Sequence, residues 1–437
     1  MLTVVSLRDV AWSQAIKCPQ LRCSVPARGH PGVRPAERET VVDPGAIEMP
    51  THADTVAVVA GRADNGGALA PIVWASTSFE VANPKAAGRL ASTPRTPRFY
   101  ARHGNPSVRA FEDAVAQLEG AEAALAFGSG MGAVSAVVLG LCSSGDHIVA
   151  QQQMYGGTLQ LLGSVCPRLG IDVTLVDATV PGAFAAAVQP GRTVLVLAET
   201  PANPRLDLVD LEEIGALTEP ITVVDATFAT PLGVRPLDYG VDLSLHSATK
   251  AIAGHNDASL GVVSGASELV DRLWNFAILQ GAVASPYDAT NGLRGLRTLG
   301  VRLRQQSATA LAAAQALETG PGIGWVRHPS LLSHPQAQLA RRQLRLGGGL
   351  VAFDLLGGYR AAMRFMEALT LCRVAPSLGG PETLIIHPAS TTHAGLEPEE
   401  LADAGISAGT LRLSAGLEDT DDEIGRASCR ERVCLAV

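Results

Sequence analysis

Short apolar runs bounded by turn residues recur along the middle of the chain, at Ala123–Phe127, His147–Ala150, Val173–Val176, Thr193–Ala198, Ile221–Val224 and Asp242–Leu245. Runs this short suit strands buried on both faces, and helical spacing fills several of the gaps between them. Phe111, Val115 and Leu118 fall at i, i+4 and i+7 behind a Pro106-Ser107 start signal, and an apolar helix is expected over Ala133–Leu141. Strands alternating with helices build a mostly parallel α/β sheet, whose ligands gather at the carboxyl ends of the strands. After about residue 300 the pattern changes. A long Ala/Leu/Arg-rich helix, Arg302–Glu318, precedes strands at Leu350–Leu355 and Thr383–Ile386 with a helix near Tyr359–Leu369, which describes a smaller α+β domain.

Composition narrows the partners. A net charge of −8 with no Lys/Arg-rich stripe argues against nucleic acid, because phosphate contacts need clustered cations. No apolar run is long enough to span a bilayer, and Arg8 and Asp9 interrupt the only stretch that could start a secretory signal. The cysteines at 18, 23, 142, 166, 372, 429 and 434 form no CxxC pair, so a reducing cytoplasm is the expected compartment. Cys142, Cys166 and Cys372 read as small buried hydrophobes.

The ends read differently from the middle. Residues 1–48 carry scattered prolines and arginines without helical or strand period, a composition expected of a disordered extension, and Met49 reads as the start of the protein. Residues 423–437 contain EIGRASCRERV, which reads as a non-native tail. Between them, a segment over 49–100, a large domain over 101–300 and a C-terminal domain over 301–422 are expected.

Three elements carry chemistry. Ser244-Leu245-His246-Ser247-Ala248-Thr249-Lys250 closes a strand with hydroxyls and a lysine, which can become a nucleophile toward an aldehyde when desolvated. Ile221–Asp225 is an apolar strand ending in a carboxylate, a partner for a protonated pyridine nitrogen or, more plainly, a cap on the next turn. Gly128-Ser129-Gly130-Met131-Gly132 stands at a helix start, where glycines and free N–H groups suit an anion. Taken singly, a surface lysine, a capping Asp and an ordinary glycine turn would serve as well.

In this order, the three elements resemble the Cys/Met-metabolism enzymes that depend on pyridoxal phosphate (PLP). The resemblance runs from about Thr55 to Asp422 and includes RFYARHGNPS (98–107), GSGMGA (128–133), MYGGT (154–158), ETPANP (199–204), VDATFATP (224–231) and HSATK (246–250). SLGG (377–380), HPASTTH (387–393) and LRLSAGLED (411–419) follow. The resemblance implies a fold-type I PLP-dependent transferase with a Schiff base on Lys250, which also shuttles protons. It further implies Asp225 on the pyridine nitrogen, Gly130, Met131, Ser247 and Thr249 on the phosphate, Tyr155 stacked on the ring and Asn203 on its 3-hydroxyl oxygen. Tyr100 and Arg102 resemble the pair that reaches a neighbouring subunit's phosphate, which implies a dimer of dimers with shared sites, and the segment 49–100 would make that reach. Arg412, helped by Ser377, would grip the substrate α-carboxylate as a bidentate fork. His103, His246, His255, His387 and His393 lie inside motifs and are expected to be structural, with no metal.

The reaction implied is γ-elimination or γ-replacement on a sulfur-linked or activated homoserine-type amino acid. Methionine γ-lyases commonly place cysteine where this chain has Gly157, and cystathionine-specific enzymes often carry glutamate at the position of Ile386. A cystathionine or methionine γ-lyase or a cystathionine γ-synthase is expected first. O-Acylhomoserine sulfhydrylases and cystathionine β-lyase follow, and an aminotransferase or a non-catalytic PLP-binding protein comes last. Ala226 and Ala251 replace the Asn and the aromatic residue that the family often has there, so altered cofactor packing is an expectation as well.

Overall fold

The computed structural model describes residues 52–422 apart from Asp64. The start at Met49, the extension 1–48 and the tail 423–437 lie outside the described residues. The larger sheet contains β1 (Ala123–Phe127), β2 (His147–Gln151), β3 (Asp172–Val176), β4 (Thr193–Glu199), β5 (Ile221–Asp225), β6 (Leu243–His246) and β7 (Gly261–Gly265). Its order is β1-β7-β6-β5-β4-β2-β3, with β2 through β6 parallel and β7 antiparallel to both β6 and β1. The fold class is the expected one. β7 escapes a sequence reading because its five residues, GVVSG, hold only two large apolar side chains.

Alternation along each strand feeds two cores. Leu195 and Leu197 pack with the helices Gly130–Leu141 and Ser267–Gln280 on one face. Val196 and Ala198 point the other way, into a cluster with Val209, Leu211 and Ile214. Both faces are covered, so the strands read as continuous apolar runs. Asp242 lies just before β6 rather than inside it, because its carboxylate accepts from the N–H and hydroxyl of Thr222 (2.8 and 2.9 Å) at the start of β5.

The helix Pro106–Glu119 covers β1 and β7. Asn105 caps it by accepting from Ser107 N–H at 2.9 Å, and Gly120 ends it at φ 70°. One side chain of this helix is unusual: Glu112 is buried and accepts the N–H of Ala126 in β1 at 2.8 Å. Burial pushes its carboxyl up to about 7, against the pull of that hydrogen bond and of Arg109. A carboxyl whose folded pKa is raised contributes stability that is complete below its unfolded pKa and is lost as pH climbs through the folded one. Glu112→Gln keeps the acceptor and removes the charge. Denaturant titrations should therefore show that the variant loses about 3 kcal/mol less than the parent between pH 4.5 and about 7. Parallel stability curves for the two proteins would overturn this.

The second sheet holds β8 (Ile323–Arg327), β9 (Leu350–Leu355), β10 (Arg373–Val374), β11 (Leu384–Ile386) and β12 (Thr410–Ser414) in the order β10-β11-β12-β9-β8. Leu411 and Leu413 enter a core with Phe353 and Phe365, while Arg412 between them points to the opposite face. The helix Leu299–Glu318 starts a turn earlier than its sequence pattern suggested and packs on β8 and β9. On it, buried Arg302 donates to the carbonyls of Ala251 (2.8 Å), Ile252 (3.3 Å) and Gly295 (2.7 Å), fixing the turn that follows Lys250. Among the described residues no helix is long and apolar enough to cross a membrane, and no group of three or more His, Cys, Asp or Glu is placed to hold a metal ion.

Candidate active site

A cavity of about 300 Å³ opens at the carboxyl ends of β4, β5 and β6, bounded on its far side by residues that flank and belong to the second sheet. Lys250, Asp225, Tyr155, Asn203, Gly130, Met131, Ser247, Thr249, Ser377 and Arg412 all line it. These residues span nearly three hundred positions of sequence and converge because the parallel strands end on one side. Tyr100 and Arg102 are absent from the lining. Tyr100 is exposed and bridges to Ser78, and Arg102 donates to the carbonyl of Ile278 at 2.6 Å.

Lys250 follows β6 in a short turn, and its Nζ donates to Ser377 Oγ at 3.0 Å. Burial and the nearby Arg412 cation lower its pKa to about 8, which brings the free amine within reach of neutral pH. Asp225 ends β5, and one carboxylate oxygen accepts from the N–H (2.9 Å) and hydroxyl (2.5 Å) of Thr227. The turn-capping role and the cavity-lining role therefore coexist in one side chain. The Thr227 hydroxyl also receives Ser247 N–H at 2.7 Å, which links Asp225 to the loop before the lysine. Burial raises the Asp225 pKa, so a cation beside it would be stabilising.

The anion cradle forms at the start of the helix Gly130–Leu141. Ser129 caps it by accepting from Gly132 N–H at 3.0 Å. A Cβ at residue 130 would lie 2.7 Å from Ser247 Cβ, so only glycine lets the two loops meet there. Thr249 is partly committed elsewhere: its hydroxyl donates to the carbonyl of Leu260 (3.1 Å) and accepts its N–H (2.8 Å).

Arg412 is 3 % exposed. Its guanidinium donates to Asn203 Oδ1 at 2.7 Å and to the carbonyl of Ser377 at 3.1 Å, while its buried Nε has no hydrogen-bond partner. Burial lowers its pKa to about 10, which still leaves it a cation at neutral pH. Tyr155 caps the short helix Gly156–Gln160 with its ring half exposed. A Cβ at Gly157 would lie 2.6 Å from Cε1 of Tyr155 and 3.3 Å from Sδ of Met131. A cysteine there would have to move that ring.

Several cavity and support residues were not singled out from sequence. Glu199 ends β4 as Asp225 ends β5, in register beside it, so the same signal of a carboxylate closing an apolar strand was present. Thr227, Phe228 and Thr392 also line the cavity, and nothing in their local sequence marks them. His393 Nε2 donates to the carbonyl of Met154 (3.2 Å), and burial lowers its pKa to about 4. A neutral ring beside a carbonyl must be the donor there. Ile386 lies opposite Arg412 in the second sheet but outside the cavity lining. Ala226 and Ala251 pack into cores away from it.

The residues fit pyridoxal phosphate: an amine of lowered pKa, a buried carboxylate with a cavity-facing position, a glycine cradle at a helix start and an under-bonded arginine share one chamber. Known proteins agree. An L-methionine gamma-lyase of Pseudomonas deceptionensis is 41 % identical over 365 residues, covering 82 % of this chain and 91 % of that protein. An O-succinylhomoserine sulfhydrylase of Pseudomonas aeruginosa is 41 % identical over 377 residues, 84 % of this chain and 92 % of the relative. The crystal structure of a cystathionine gamma synthase from Xanthomonas oryzae pv. oryzae superposes with a TM-score of 0.83 at 37 % identity, covering 89 % of this chain and all of that one. The Cys/Met metabolism PLP-dependent enzyme family matches residues 54–425. The chain belongs to that family: it is a PLP-dependent enzyme of the lyase and γ-replacement class that acts on carbon–sulfur substrates.

Proposed function

We propose that the chain catalyses γ-elimination on an amino acid whose γ-substituent is small and uncharged, such as methionine or homocysteine. One observation carries the choice: among the described residues, the only cations that line the cavity are Lys250 and Arg412. The cofactor takes the first and the substrate α-carboxylate the second. A distal carboxylate, as in cystathionine or a succinyl ester, would find no cation of this chain, and Phe228, Pro376 and Leu378 offer it an apolar wall.

Bound pyridoxal phosphate supplies an electron sink for charge that develops on the substrate. In this reading Gly130, Met131, Ser247 and Thr249 would hold its phosphate, Asp225 would hold its ring nitrogen as a cation, and Asn203 would meet the 3-hydroxyl oxygen. Tyr155 would lie against the ring and, with Lys250 Nζ, would move a proton to the departing sulfur. Lys250 would take the α-proton, give it back to the conjugated system that the cofactor supplies, and so be free to take the β-proton, while Ser377 Oγ keeps the amine oriented between those tasks. Arg412 fixes the carboxylate and so the plane in which the α-hydrogen is presented.

Tyr100 and Arg102, outside this chain's own cavity, complete the phosphate site of a neighbouring copy, in a cytoplasmic homotetramer built as a dimer of dimers. The unit then comprises the segment 49–100, which makes that reach, the PLP domain over 101–300 and the C-terminal domain over 301–422.

Gly157 favours a second reading, γ-replacement by a small thiol on an uncharged homoserine ester, since it departs from the cysteine common in methionine γ-lyases. The chain expressed from Met49 separates the two. Release of 2-oxobutyrate from methionine or homocysteine without added thiol, at least about tenfold faster than from cystathionine, is the expected result. Product only when a thiol and O-acetylhomoserine are supplied would select the second reading, and preference for cystathionine would reject the argument from charge.

A further inference from the structure

Glu199 is 4 % exposed and stands where β4 parts from β2, the point at which the strand order of the large sheet reverses. Gln151, at the end of β2, clamps its backbone from both sides. Gln151 Oε1 accepts Glu199 N–H at 2.9 Å, and Gln151 Nε2 donates to the Glu199 carbonyl at 3.0 Å. With its backbone fixed, the carboxyl reaches in two directions. Oε2 accepts the N–H of Tyr155 at 2.9 Å, and Oε1 accepts the N–H of Asn203 at 2.7 Å. Asn203 in turn receives Arg412 through its Oδ1 at 2.7 Å. One side chain thus holds the ring-stacking residue and the residue that holds the substrate's arginine.

We propose that Glu199 is a positioning residue that sets Tyr155, Asn203 and, through Asn203, the Arg412 guanidinium as a single unit. The inference rests on the roles proposed for those three residues, and it adds one that acts through them. Here each oxygen is given to a backbone N–H of a different cavity segment, 44 positions upstream and 4 downstream. Burial and the neighbouring Asp225 carboxylate push the Glu199 pKa up. Glu199→Gln keeps the shape of the side chain and one of its two acceptors: an NH₂ replaces the other and must face Tyr155 N–H or Asn203 N–H. Glu199→Asp keeps the acid and shortens the reach by one methylene, too little to span both N–H groups.

The test uses the full chain loaded with cofactor, with loading measured for each variant. The probes are circular dichroism of the bound cofactor's visible band, which follows ring tilt, and binding of glycine, which offers an α-carboxylate but no γ-substituent. Both variants are expected to change the dichroic band and to weaken glycine roughly tenfold, the loss of one buried hydrogen bond, at full loading and with a cooperative thermal transition. A merely structural acid would lower the melting temperature and leave both probes unmoved; that outcome overturns the proposal. If the shortened variant fails to fold, the isosteric Glu199→Gln decides alone. Neither probe needs γ-elimination, so a wrong assignment of the reaction would leave this result intact and show itself only in the product assay.

Discussion

Lys250→Ala should lower turnover by about 10⁴-fold and abolish the visible absorbance that marks cofactor bonded to lysine, while the protein stays folded. The amine lies in the cavity with its Nζ on Ser377 Oγ, and among the described residues nothing else lining that chamber is a primary amine. A pKa near 8 leaves about a tenth of it as free base at pH 7, against about one part in three thousand for an ordinary lysine. The free base is the nucleophile. Loading of cofactor-free enzyme should accordingly quicken as pH rises and level off above about 8. A variant that kept the visible band would remove Lys250 from the chemistry, and a loading rate still rising at pH 10 would show that the amine is not desolvated as the structure has it.

Arg412→Lys should cost nearly as much as Arg412→Ala, about 10²- to 10³-fold in kcat/KM and mostly through KM. Lysine keeps the charge but cannot hold the carbonyl of Ser377, Asn203 Oδ1 and a carboxylate at once, because its ammonium is a single point. Alanine also strands Asn203 Oδ1 without its donor. Steady-state kinetics on methionine and on a decarboxylated analogue separate the contributions. The analogue should lose almost nothing on substitution, and an equal loss on both substrates would mean that Arg412 supports the cavity without meeting the carboxylate.

Sequence logic reached the large sheet because its strands are buried on both faces and stand out as apolar runs. It reached Lys250 and Asp225 because each closes such a run, and the order of motifs tied them to one family. It passed over Glu199, although the sign was the same, because a carboxylate inside ETPANP reads as part of a turn until its two N–H partners are seen. It passed over β7 because glycine at both ends and a serine leave little apolar signal. Ile386, a position that distinguishes relatives in sequence, lies outside the cavity lining. The pairing of Tyr155 with Gly157, and of His393 with Met154, are matters of three-dimensional approach that no spacing encodes.

The placement of β12 has a consequence for synthesis. This strand is the last among the described residues, yet it pairs with β11 on one side and β9 on the other. Until it leaves the ribosome, both neighbours present open edges to any other nascent chain. Arg412 arrives with it, 162 positions after Lys250. A chain that stops before Thr410 would carry Lys250 and the loop around Gly130 but lack Arg412 and the strand that joins β9 to β11. Such shortened chains should therefore partition to aggregates or proteases.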